Sequence, residues 1–118
     1  MTKDRWMDSV PEIGTCRAEV HARAALGRLY TALTFVDNES RLEKAQYAAA
    51  HIVAWRKSLG VESRRIEYQG SLPWDSGLLW RAVQQVSAAV EPDDDTAAKA
   101  ARLRYAEAFL RAHWEENK

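Results

Sequence analysis

The chain has 118 residues, 47% of them hydrophobic and 29% charged, a globular mixture that excludes disordered, collagen-like and low-complexity classes. Seventeen basic and seventeen acidic side chains cancel, so no global field recruits nucleic acid or an anionic membrane, and a nucleic-acid role requires a local patch. Cys16 is the sole cysteine, which rules out an intrachain disulfide framework and makes a reducing cytoplasm the expected compartment.

The N-terminal stretch lacks the apolar core of a secretory signal, and no run reaches the ~18 apolar residues of a spanning helix, so no membrane partner is expected. The length suits one α-helical domain over 1–118. Helix punctuation then divides the chain. Ser9-Val-Pro-Glu12 and Ser40-Arg-Leu-Glu43 fit the capping box, in which a serine oxygen accepts an otherwise unpaired helix N–H and the glutamate reaches back. The first predicts a helix over about 10–36, weakened by Gly14 and Gly27, with Thr15 as an alternative start. The second predicts a helix over about 41–59, closed by Gly60 in the left-handed position that a residue with a Cβ resists.

Residues 61–72 are the least regular stretch, although Arg65-Ile66-Glu67-Tyr68 alternates as a short extended piece would. A third helix is expected over 73–90, because Pro73 lacks only an N–H that a first turn does not use. The acidic run Asp93-Asp94-Asp95 supplies a cap and favourable charge for a fourth helix over 96–116. The fold expected is all-α: a four-helix bundle, mainly antiparallel, with an irregular loop between the second and third helices.

Periodicity assigns faces. The third helix carries a stripe of Leu79, Val83, Val86 and Val90, which places it on the outside of the bundle. The second buries Leu42, Ala45, Ala49, Ile52 and Leu59, with Ala48 and Trp55 at the margin and Tyr47, Ala50, His51 and Ala54 outward. The first helix carries two stripes. Ala18, Ala22, Ala25, Leu26, Leu29, Leu33 and Val36 oppose Ile13, Cys16, Val20, Ala24, Gly27 and Phe35 at about 100° per residue. The fourth repeats this, with Leu103, Ala106, Phe109, Leu110, His113 and Trp114 opposed by Ala101, Tyr105, Ala108 and Ala112. Alanine is also the best helix former and tolerates exposure. Ile13, Val20 and Phe35, however, are large enough for their stripe to read as a surface for a partner or a second copy.

Chemistry-bearing motifs are sparse. His21, His51 and His113 lie on three helices without the i, i+3 or i, i+4 spacing of a metal pair, and no Glu-x-x-His carboxylate motif accompanies them. Cys16 has Arg17 beside it but no base on its own helix face. Glycine-rich phosphate loops, nucleophile elbows and zinc spacings do not occur. The sequence therefore reads as non-enzymatic, without metal or cofactor.

Two sets of contact residues follow. Val20, Ala24, Phe35, Ala101, Tyr105 and Ala108 form the second faces of the first and fourth helices. Tyr68, Trp74 and Trp80 mark the strongest candidate recognition segment, being residue types common at binding hot spots. Arg17, His21 and Arg28 share one flank of the first helix, and Arg56, Arg64 and Arg65 cluster near the end of the second, as candidate anion or nucleic-acid contacts. Small alanine-rich helical chains serve as phage or mobile-element accessory proteins, inhibitors and assembly subunits, which is an analogy of class only. The reading is an interaction module that self-associates or binds a protein through the first and fourth helices. The alternative is a nucleic-acid-associated subunit.

Overall fold

A computed structural model of the chain describes residues 18–34, 37–60, 75–91 and 95–117. They form four helices and no strand: α1 (Ala18–Thr34), α2 (Asn38–Ser58), α3 (Asp75–Val90) and α4 (Thr96–Asn117). The all-α bundle expected from periodicity is the observed architecture. Ser9 to Arg17, the extended piece at 65–68 and the Pro73 start lie outside the described residues.

Helix ends follow local chemistry, with one correction. α2 starts three residues before the expected Arg41, because Asp37 and not Ser40 is its N-cap. The Asp37 backbone is extended and its carboxylate accepts the Ser40 N–H at 2.9 Å and the Ser40 hydroxyl at 2.7 Å. A carboxylate satisfies the unpaired helix donors and also meets the positive end of the helix dipole, so the aspartate wins over the serine. At the other end Gly60 adopts φ +72°, and its N–H donates to the Lys57 carbonyl, closing α2 as the glycine implied. Asp95 caps α4 by accepting the Ala98 N–H at 3.1 Å.

Each helix packs closely on two others: α1 on α2 and α3, and α4 on α2 and α3. Ala22 and Leu26 near the start of α1, Trp55 and Leu59 at the end of α2, Val90 at the end of α3 and Lys99 at the start of α4 line one cleft. These termini therefore share one end of the bundle. All four packed pairs are antiparallel, with α1 and α4 on one diagonal and α2 and α3 on the other. α2 ends and α3 begins at opposite ends of the bundle.

The core is built from Leu29, Ile52, Leu78, Leu79, Val83, Val86, Leu103 and Leu110 with many alanines between them. Ala25 and Ala32 of α1 and Ala45, Ala48 and Ala49 of α2 are buried, small side chains of the kind that permits close helix approach. Two face assignments change. Ala48 and Trp55 are core residues, not marginal ones, because α2 has neighbours on two sides and its buried arc is wider than a single stripe. α3 is as embedded as the other helices. It buries Leu78, Ala82 and Ala89 beside Leu79, Val83 and Val86, while Val90, at its last turn, is 45% exposed.

Candidate functional site

The second faces of α1 and α4 differ from one another. Val20 and Gly27 are exposed and Ala24 is half-buried, so this stripe of α1 is left open by the bundle. On α4, Tyr105 is exposed and Ala101 is half-buried, but Ala108 is buried within the chain. That removes Ala108 from the contact set. Because α1 and α4 occupy opposite corners, Val20 and Tyr105 point to opposite sides of the molecule and do not form one patch. Phe35, Tyr68 and Trp74 lie outside the described residues.

A different pairing emerges on the α1·α3 side. Leu26 of α1 and Val90 of α3 line a common cleft, which fixes the flanks that these two helices turn toward each other. Tyr30 follows Leu26 by one turn and precedes Leu33 by three residues. Trp80 precedes Val83 by three on the facing flank of α3. In antiparallel packing both rings sit toward the same end of the bundle. Tyr30 and Trp80 are each 49% exposed, while Leu26 and Leu33 between them are partly buried against the core. Sequence reasoning found Trp80 and missed Tyr30. The signal was its place one turn from Leu26, at the border of the core stripe instead of opposite it.

Two polar seams run along the flanks of α2. Toward α1, His21 Nδ1 and His51 Nδ1 are 3.2 Å apart with ring centroids at 5.5 Å, so one ring donates to the other and the acceptor must be unprotonated. His21 is buried. Burial, then His21 and Arg28 close by, hold the His51 pKa below the ordinary histidine value. Arg28 lies over the Tyr47 ring, 4.9 Å from its centroid. Of the candidate anion contacts, the fold thus joins His21 and Arg28 along one seam with Tyr47 and His51. His51 turns to His21, 30 positions away. The third histidine, His113, is fully buried on the core side of α4.

Toward α4, Arg56 donates to Glu107 Oε1, and Arg111 Nη2 donates to Glu107 Oε2 at 2.9 Å. The Glu107 side chain is only 4% exposed and those of the two arginines 12%. Arg56 is therefore spent on a nearly buried carboxylate and is not an exposed phosphate contact. Arg17, Arg64 and Arg65 lie outside the described residues. Groups of three or more potential metal ligands do not occur among the described residues, nor is any helix long and apolar enough to cross a membrane.

No family model, curated protein or solved structure matches the chain.

Proposed function

We propose that this bundle is a cytoplasmic interaction module, an accessory or small assembly subunit, that self-associates through the α1·α3 side. The observation that carries the reading is the pair of half-exposed aromatics, Tyr30 and Trp80, flanking partly buried Leu26 and Leu33 beside an already filled core. Large amphipathic rings on rigid helices suit a binding anchor, since they bring much apolar area at little entropic cost. Two copies meeting face to face would shield both pairs of rings, the isologous arrangement usual for dimers. The balanced charge of the chain adds no long-range repulsion between copies. Glu107 supports a non-catalytic reading, because both of its oxygens are committed to arginines.

Sedimentation velocity over a concentration series tests this. The wild-type chain is expected to shift from monomer to dimer with little dependence on salt, and Trp80→Glu or Tyr30→Glu to weaken the dimer at least ~10-fold, as loss of a hot-spot residue does. Val20→Glu and Tyr105→Glu, on separate faces, are expected to leave it unchanged. A wild-type monomer at every concentration, or a dimer sensitive to Val20→Glu alone, would overturn the α1·α3 assignment.

A further inference from the structure

The end of the bundle where α1 and α4 begin holds a cleft of about 500 Å³, within the range of small-molecule sites. Its walls are apolar: Leu26, Leu59 and Val90 line it, with Ala22 and Trp55 buried behind them. Among the described residues that line it, the polar side chains are Arg23 and Lys99, both cationic, and none is a carboxylate. Neither cation makes a side-chain ion pair among the described residues. That contrasts with Arg56 and Arg111, which share Glu107. Two cations from different helices, set beside apolar walls with no described carboxylate in the lining, are complementary to a molecule with an anionic head and an apolar body.

We propose that this cleft binds a small amphipathic carboxylate, its head held between Arg23 and Lys99 and its apolar body against Leu26, Trp55 and Leu59. The two parts of the site have separate roles. Apolar contact removes ligand surface from water and contributes affinity in proportion to the area covered. The two cations fix orientation and select the charged ligand over a neutral one, because charge-assisted hydrogen bonds are about twice as strong as neutral ones. Arginine offers a planar fork and lysine a mobile point charge, a combination that accommodates a carboxylate without demanding one rigid geometry. This site does not depend on self-association, so it is expected to persist in Trp80→Glu.

Titration calorimetry of the full chain with octanoate, octanol and acetate separates these contributions. Octanoate is expected to bind at one site per chain, octanol ~10-fold more weakly and acetate not detectably, since the head without the body forgoes the apolar walls. Arg23→Gln and Lys99→Gln are each expected to weaken octanoate ~10-fold, with octanol binding and the melting temperature unchanged. Val90→Trp, which fills the cleft from the end of α3, should abolish binding of both. The proposal is overturned if octanoate does not bind or if octanol matches it. It is equally overturned if octanoate affinity survives either charge removal or the filled cleft at wild-type strength.

Discussion

The two flanks of α2 solve the same problem with different chemistry. On the α4 side, Arg56 and Arg111 close on Glu107, two cations sharing one carboxylate in a nearly buried setting. On the α1 side, His21 and His51 share one hydrogen bond at 3.2 Å, and no ion pair among the described residues involves either ring. The two arginines of the triad keep their charge throughout, since arginine does not lose its proton in proteins. The hydrogen bond between the histidines needs one unprotonated acceptor ring, so it is lost when both rings carry an extra proton. One flank of the same helix is thus a fixed electrostatic contact and the other is conditional on pH, although both lie beside cores of alanine and leucine.

The largest expected effect comes from breaking the fixed flank. Glu107→Ala removes the nearly buried carboxylate that Arg56 and Arg111 share. Removing one partner from a buried ion pair costs about 3–5 kcal/mol, because the remaining charge stays desolvated. Urea unfolding should register this as a fall in midpoint at unchanged slope. Converting the contact to apolar residues in a triple variant, Arg56→Met, Glu107→Leu and Arg111→Met, should restore most of the loss, since the desolvation penalty disappears together with the attraction. If Glu107→Ala is nearly neutral, the triad is a solvated surface pairing and the contrast between the flanks fails.

A smaller effect belongs to the conditional flank. The His51 pKa lies below its unfolded value, chiefly from burial and then from His21 and Arg28, so the unfolded chain takes up the proton first. The stability that this group contributes is complete above the unfolded pKa of about 6.5 and is lost as pH falls from there toward the lowered folded value. A second proton on the pair would set two like charges side by side, with Arg28 nearby. Melting temperatures should therefore drop between about pH 7.5 and pH 5, above the range in which carboxylates titrate. His51→Gln should flatten that slope and leave the Glu107→Ala penalty unaltered. An unchanged slope in His51→Gln would assign the pH dependence elsewhere.

What could be read from the sequence divides along the same line between local and distant chemistry. The four helices, the Asp95 cap and the Gly60 stop rest on residues within a few positions of each other, and periodicity carries that information. The early start of α2 was missed because Asp37 and Ser40 both suit a cap, and only the hydrogen bond shows which one takes the role. Ala48 and Trp55 were placed too far out because a stripe assumes one contacting neighbour, whereas every helix here has two. Arg56 meets Glu107 across 51 positions and His21 meets His51 across 30. Such pairings depend on which helices become adjacent, and spacing along one helix does not encode that. The alanine stripes were the least decisive signal: Ala45 and Ala49 are buried, yet Ala24 and Ala101, of the same type, are left half-buried.

The smallest expected effect sharpens the comparison by strengthening the conditional side without touching its histidines. Gly27 lies within α1 on its exposed face, and a Cβ built there meets nothing within 4 Å. A mid-helix glycine costs up to about 1 kcal/mol relative to alanine, through the greater freedom of the unfolded backbone. Gly27→Ala should therefore stabilise the chain by up to about 1 kcal/mol. Its distribution matters more than its size. If the α1·α2 flank opens before the α2·α4 flank, hydrogen exchange at pH values below the histidine range should show the gain as added protection in α1, with α4 little changed. Equal protection gained in α1 and α4 would mean that the bundle opens as one unit. In that case the difference between the two flanks of α2 affects how stability responds to pH, but not which helix leaves first.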